Sequence, residues 1–488
     1  MFSILAQTAT ETSVPVTSLI ALLIFGIAFL LLLILRFKLQ AFLALLVVSV
    51  VVSIGATFIN PDQAAGLTEI GQTIVKSMES ALGFIATIIG IGAIFGAMLE
   101  HSGGTQSLAN TLVQKFGQKK APWAMLLTGF IISIPVFLDV ALVILAPLLY
   151  ALARDTKKSI LVFGLPLVAG MAVTHAFVPP TPGPVAVAYF LNVNLGYVIA
   201  FGILVGLPTA IICGPFLCSK MATLVDAPKI PELNTNENQS TKDLPSFKII
   251  CGLIALPIAL ILSQTIVQEV ATSRIESGLT NAERKVEVTR LLNELEVWQQ
   301  FILFIGHPII ALMASTLLAI WFLGTKRGTK KEDLVEISTK ALGPAGIIIL
   351  ITGAGGVFKG VLTATGIADA LKTVFEGSPI PIIVLAYIFA TLVRIAQGSA
   401  TVAMLTAAGL MVSFVEGFSQ PYLALIACAI AAGATGFSHV NDSGFWMISR
   451  YLGMTEKQTL KTWTIISTAI SLVSFSIILI LSFFIPMK

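Results

Sequence analysis

Charge is scarce in this chain. Asp, Glu, Lys and Arg make up 11% of its 488 residues, against 56% hydrophobic residues and a mean hydropathy of +0.95. That shortage excludes a soluble globular domain of this size, which needs far more polar surface to stay dissolved. Catalytic signatures are missing as well. There is no HExxH, no Gly-x-Ser-x-Gly, no Walker loop and no paired CxxC, which argues against soluble-type hydrolysis and against ATP-driven transport by this chain itself. The four cysteines, Cys213, Cys218, Cys251 and Cys428, lie in or beside apolar runs with neither metal-ligand spacing nor a disulfide framework. They read as small packing residues, and neither a metal nor a cofactor is expected. Residues 1–16 hold no Lys or Arg, so the start does not read as a secretory signal, and the run from Val16 to Leu35 is expected to stay as a first span. The net charge of +4 comes from basic residues clustered in a few loops, as orientation signals are. It gives no reason to expect nucleic acid.

What the chain has instead is apolar length. Principal segments fall near 17–36, 40–59, 82–100, 122–153, 159–178, 195–218, 248–266, 302–323, 341–362, 379–414, 420–438 and 463–486, most of them near the 20 residues that cross a hydrocarbon core. Basic residues at Arg36–Lys38, Lys115–Lys120, Arg154–Lys158, Lys220–Lys248 and Lys326–Lys331 place those loops in the cytoplasm and both termini outside. Segment 122–153 starts and ends beside cytoplasmic clusters but is too short for two full spans. It is expected to be a hairpin that turns near the midplane in Ser133-Ile-Pro-Val-Phe-Leu-Asp139, where Pro135 breaks the helix. Segment 379–414, broken around Arg394-Ile-Ala-Gln-Gly-Ser399, is its counterpart and should enter from outside.

The two hairpins belong to an internal repeat. Gly92-Ala-Ile-Phe-Gly-Ala-Met-Leu99 is similar to Gly355-Gly-Val-Phe-Lys-Gly-Val-Leu362 at an offset of 263 residues, the hairpin breaks match at 260, and Thr174-His175 matches Ser438-His439 at 264. Two halves of opposite orientation, each with a broken or re-entrant element, mark a transporter. The expected fold is therefore an all-α polytopic membrane protein of two inverted-topology repeats. Residues 1–225 form the first (scaffold helices within 17–59, transport part 82–218). Residues 226–247 are a cytoplasmic linker, and 248–488 form the second (scaffold within 248–323, transport part 341–486). The loop 267–300, with Val286, Leu291, Leu292 and Leu295 at helical spacing, reads as an external amphipathic helix lying on the bilayer or on a partner subunit.

Polar and ionisable residues inside a bilayer are expensive, so each is a functional candidate. Asp139 sits at the first hairpin tip, where a transport role competes with a structural hydrogen bond. Arg394 holds the corresponding place in the second. Its guanidinium would clamp a carboxylate or pair with an acidic residue such as Asp139. Gln397, Ser399 and Thr401 follow it, offering hydroxyls and helix N-terminal amides that suit an anion. In Thr174-His-Ala-Phe-Val-Pro-Pro-Thr-Pro-Gly-Pro184 the prolines end a helix and leave Thr181 unencumbered. In the matching Ser438-His-Val-Asn-Asp-Ser-Gly-Phe-Trp446, Asn441, Asp442 and Ser443 are N-cap residues that start a new half-helix. His175 and His439 titrate near neutrality in principle, but a neutral His bonding a broken helix is an equal reading. Glu100-His101 reads as an interfacial cap. Asp139 and Asp442 are the leading candidates for a coupled proton. An ion channel or a membrane enzyme remains as a rival, though re-entrant hairpins suit alternating access better and no nucleophile or metal cluster is evident.

As a set, Phe95-Gly-Ala-Met-Leu-Glu-His-Ser-Gly-Gly104, Ile134-Pro-Val-Phe-Leu-Asp-Val-Ala-Leu-Val-Ile-Leu-Ala-Pro147, His175-Ala-Phe-Val-Pro-Pro-Thr-Pro-Gly-Pro184, Arg394-Ile-Ala-Gln-Gly-Ser-Ala-Thr401 and Gly436-Phe-Ser-His-Val-Asn-Asp-Ser-Gly-Phe-Trp446 resemble the gluconate:proton symporter (gluconate permease) family, whose members also carry related sugar acids or D-serine. The resemblance covers essentially the whole chain. It implies symport of a small organic anion with protons across a bacterial inner membrane, by an elevator mechanism on a homodimer. The charged loop 267–300 departs from the family pattern. Gluconate, another sugar acid, D-serine or another small carboxylate, and proton or sodium coupling, stay open at this level.

Overall fold

Apolar sequence with no water to bond must satisfy its backbone internally, and the computed structural model does so with helices throughout. It describes residues 16–61, 64, 66–226, 244–272, 281–367, 369–370, 373, 380–415 and 417–487. The chain start before Val16, most of the 226–247 linker and part of the 267–300 loop fall outside the described residues.

Among the described residues, nine helical segments are long and apolar enough to cross a membrane. In chain order the N-terminal region holds α1 (Val16–Leu35), α2 (Ala41–Ile59), α3 (Ile70–His101), α4 (Gly104–Phe116), α5 (Ala121–Ile132), α6 (Leu138–Thr156), α7 (Leu161–Phe177), α8 (Pro182–Phe190), α9 (Leu195–Ile211) and α10 (Cys218–Thr223). The second region holds α11 (Phe247–Thr272), α12 (Asn281–Asn293), α13 (Val297–Gly306), α14 (Pro308–Ala319), α15 (Lys331–Ala364), α16 (Ile382–Gln397), α17 (Ala400–Met411), α18 (Gln420–Thr435), α19 (Ser443–Tyr451) and α20 (Glu456–Ser482). Each half thus runs through a long helix (α3, α15), two helices joined by a turn (α5–α6, α16–α17), a broken helix (α7–α8, α18–α19) and another membrane-length segment (α9 with α10, α20).

Two packing groups emerge. α3 and α15 lie against each other, with α2 beside α15 and α14 beside α3, while α1 packs on α2 and α11 packs on α13 and α14. In the other group α5 and α6 pack on α7, α16 and α17 pack on α18, and α7, α9, α18 and α20 close on one another. α8, α9, α16 and α17 connect the groups, α8 touching α3 and α15, α9 touching α11, α16 touching α1 and α17 touching α15. The sequence divides scaffold from transport part at residues 82 and 341, whereas α3 and α15 pack chiefly within the first group.

Helix ends follow local chemistry. Asn194 caps α9 through Gly196 N, Ser399 caps α17 through Val402 N, and Thr455 with Gln458 forms a capping box on α20. α3 begins at Ile70 where the apolar run begins only near 82, because the intervening Gln72, Lys76, Ser77 and Glu79 continue the helix beyond the apolar window. Loop 267–300 contains α12 and the start of α13, whose Val297, Trp298, Phe301 and Phe304 are exposed, as a helix seated on lipid or on another subunit requires.

Candidate functional site

The four interruptions meet in two pairs. At the first hairpin, Ser133 ends α5 with its amide bonded to the Gly129 carbonyl, and α6 restarts at Leu138 after an extended Phe137 that gives no side-chain cap. This turn lies against the α7–α8 break: Ile134, Pro135, Val136 and Phe137 share a cleft with Pro180, Thr181 and Pro182, and Ile89, Gly92 and Ala93 of α3 close it. Thr174 fastens α7 to α5 by donating to the Phe130 carbonyl at 2.7 Å. Thr181 is buried and donates to the Val178 carbonyl at 2.7 Å. Asp139, in the first turn of α6, is exposed.

The second pair is bound by polar contacts rather than by packing alone. Arg394 is buried, with 4% of its surface exposed. Its Nε donates to the Gly436 carbonyl at 3.1 Å, Nη1 donates to the Gly398 carbonyl, and Nη2 contacts Asp442 Oδ2 at 2.5 Å. One guanidinium therefore ties the hairpin turn to both ends of the α18–α19 break. Asp442 also accepts from Ser438 Oγ at 2.5 Å and, through Oδ1, from Gly444 N at 2.9 Å, which caps α19. Trp463 Nε1 on α20 donates to Ser438 Oγ at 2.8 Å. Asn441 Nδ2 donates to the Ile395 carbonyl at 2.9 Å. Gly398 turns the chain with φ of +80°, and a Cβ there would lie 2.3 Å from the Asn441 carbonyl oxygen, so only glycine lets the two breaks approach this closely.

The acidic partner of Arg394 is thus Asp442, where the sequence suggested Asp139 as the pairing acid. The reason is topological: hairpin 2 docks on the break that follows it. Of the other sequence candidates, Ser399 caps α17, Thr401 lies in its first turn, Ser443 opens α19 at the surface, and His439 Nδ1 sits 2.8 Å from the Phe437 carbonyl, within its own loop. Ser438 and Trp463 were not singled out by the sequence as site residues. An indole N–H inside an apolar span needs a partner, so Trp463 carried a readable signal.

Three buried polar atoms at these interruptions have no protein partner: Ser133 Oγ in the first turn, His175 Nδ1 before the first break and Gln397 Oε1 in the second turn. Three more, on Thr105, Thr128 and Thr406, lie within helices. Buried polar groups are ordinarily bonded, so the three at the interruptions are free to bond a water or a polar ligand. Among the described residues, no group of three or more His, Cys, Asp or Glu side chains is placed to hold a metal ion.

A model of the GntP family permeases matches residues 18–484. Similar proteins include the gluconate permease of Bacillus subtilis, 37% identical over 94% of this chain and 98% of its own length. The low-affinity gluconate transporter of Escherichia coli is 36% identical over 92% and 94%, and the Gnt-II system L-idonate transporter of the same species 33% identical over 92% and 95%. Among solved structures, the Alcanivorax borkumensis YdaH transporter superposes with a TM-score of 0.60 at 13% identity, covering 91% of this chain and 98% of that one. Neisseria gonorrhoeae MtrF gives 0.59 at 14%, covering 90% and 94%. At such identities these two speak for the fold alone.

Proposed function

The chain belongs to the GntP permease family, and from that premise we propose that it is a secondary active symporter importing a small hydroxylated monocarboxylate, gluconate or a related sugar acid, with protons across a bacterial inner membrane. The observation that carries this reading is the set of unpartnered polar atoms on Ser133, His175 and Gln397, one at each of three helix interruptions. A polyhydroxylated acid offers donors and acceptors at several carbons, which is what such a dispersed set can bond. The uncapped start of α6 adds backbone amides and a favourable dipole for the carboxylate. The names of relatives that transport gluconate and L-idonate support the same class.

In this reading Arg394 is a positioning residue. Three of its five N–H donors hold Gly398, Gly436 and Asp442, so it shapes the hairpin 2 turn on which Gln397, Ser399 and Thr401 stand. Of the two carboxylates, Asp139 is the proton carrier. It makes no hydrogen bond among those of the described residues and stands at the hairpin tip, whereas a proton on Asp442 would have to break the pair with Arg394. Asn441, Asp442, Ser443 and His439 then build the second break, and Thr181 and His175 the first.

The two packing groups support alternating access. α1–α3, α11 and α13–α15 form the fixed scaffold, on which a homodimer assembles. The helices from α5 to α10 and from α16 to α20 move as an elevator, the halves being related by inverted topology. Counterflow into proteoliposomes loaded with gluconate, challenged with sugar acids, D-serine and dicarboxylates, tests the substrate class. Competition by C5–C6 hydroxylated monocarboxylates alone is expected. Equal competition by short unhydroxylated acids would refute the reading.

A further inference from the structure

Lys359 is a charge within a span that the mechanism above leaves unused. It lies on α15, five residues from the end remote from the basic Lys326–Lys331 stretch, hence on the outer side. Its Nζ donates to the Phe190 carbonyl at 3.1 Å, the last residue of α8, and stands 5.8 and 5.5 Å from the Tyr189 and Phe190 ring centroids. An ammonium at a helix C-terminus is a favourable contact, but this one joins the proposed scaffold to the proposed moving group.

The two halves make unequal contacts across that boundary. Gly96, which aligns with Lys359 at the repeat offset, faces the hairpin 1 turn: a Cβ there would lie 2.4 Å from the Pro135 carbonyl oxygen. Lys359 does not face the hairpin 2 turn. Its Cβ lies 3.8 Å from where a Cβ on Gly409 would stand, eleven residues past Gly398 and about 16 Å further along the helix. Likewise α8 packs on α3 and α15, with Tyr189 OH 2.7 Å from Ser80 Oγ and its ring stacked on Phe84 at 6.1 Å. The counterpart helix α19 packs on α6 and α20 instead, and Ile347, which aligns with Phe84, is exposed. A displacement of the moving group along the membrane normal accounts for all of these differences at once.

We infer that this is one of two states, and that in the opposite, outward-open state the hairpin 2 turn stands beside Lys359, whose ammonium then receives the carboxylate of the incoming substrate. The inference rests on the inverted-repeat reading above. On the outer side Lys359 adds a charge-assisted hydrogen bond to the anion. When the moving group descends, Lys359 stays on the scaffold, releases the anion and closes on the Phe190 carbonyl. It therefore favours loading from outside without holding the substrate back at the inner face.

The test pairs a kinetic and a geometric measurement in the full chain in proteoliposomes. Lys359→Met should raise KM for external gluconate about tenfold, the loss expected for a hydrogen bond to a charged group, while the maximal exchange rate stays within about twofold of the unaltered chain. Lys359→Arg should retain most of the affinity. In parallel, Ile347→Cys with Arg450→Cys, which stands next to last in α19 as Tyr189 does in α8, in a chain whose four native cysteines are replaced, should be joined by a short bis-maleimide during gluconate exchange, because α19 then occupies the place on α15 that α8 now holds on α3. Cross-linking together with an unchanged KM in Lys359→Met, or with a fall in maximal rate alone, would overturn the role of Lys359 and leave the two-state reading standing. Absence of cross-linking during active exchange would overturn the two-state reading and this inference with it.

Discussion

Neutralising one end of the Arg394–Asp442 pair should harm the protein more than neutralising both. Arg394 is 4% exposed and Asp442 13% exposed at the side chain. Breaking a buried pair by removing one partner costs about 3–5 kcal/mol, because the remaining charge is left uncompensated. Asp442→Asn isolates that cost, since Asn is also a good N-cap and can keep the bond from Gly444 N. Arg394→Met adds to it. The Gly398 and Gly436 carbonyls each lose a donor, about 1 kcal/mol apiece, so the total is about 5 kcal/mol or more. In the double variant no unpaired charge remains, and the loss should shrink to about 2–3 kcal/mol. Reversible unfolding of the purified chain in detergent, followed by tryptophan fluorescence, closes the cycle, and Trp463 reports from within the network. The double variant should be more stable than Arg394→Met alone. An additive cycle, with the double variant the least stable of the three, would refute the claim that these groups form one buried unit.

Other perturbations address the remaining parts of the account. Asp139→Asn should abolish proton-driven accumulation in proteoliposomes while exchange of substrate continues; concentrative uptake by this variant would remove Asp139 as the proton carrier. Gly398→Ala forces a side chain into the left-handed region and against the Asn441 carbonyl, and should lower stability by more than about 1 kcal/mol with loss of transport. A normal melting profile would contradict the close approach of the two breaks. Trp463→Phe removes the indole donor to Ser438 and leaves a void at a buried position, so it should cost more than about 1 kcal/mol, with substrate affinity close to normal; a large affinity loss would place Trp463 at the substrate. A cysteine at Phe137, which lines the cleft with Thr181, should label from outside only while the outward-open state is populated; ready external labelling in every state would invert the topology.

Much of this was legible because helix punctuation is local. Pro135, Gly398 with Ser399, and Asp442 mark breaks through backbone chemistry that needs no tertiary context, and the helices end at or beside each of them. Positions outside the apolar window were harder to read. α3 starts at Ile70 and α15 at Lys331, through Lys76, Glu79, Glu332 and Lys340, because hydropathy tracks the hydrocarbon core and not the helix that continues beyond it. Partner choice was the least legible. Arg394 with Asp442, and Lys359 with the end of α8, are meetings of residues 48 and 169 apart in sequence, decided by which helix docks on which. Lys359 itself lay inside the repeat motif, but its use depends on a contact between the two packing groups that spacing does not encode.

The central claim is concentrative, proton-driven import of a hydroxylated monocarboxylate. Proteoliposomes holding the purified chain, loaded at neutral pH and diluted into labelled gluconate, separate the possible driving forces when an inward proton gradient and an inward sodium gradient are imposed one at a time. The account predicts transient accumulation of gluconate above its external concentration under the proton gradient, abolished by a protonophore, and none under sodium alone. Accumulation under sodium alone, or only equilibration under the proton gradient, would contradict it.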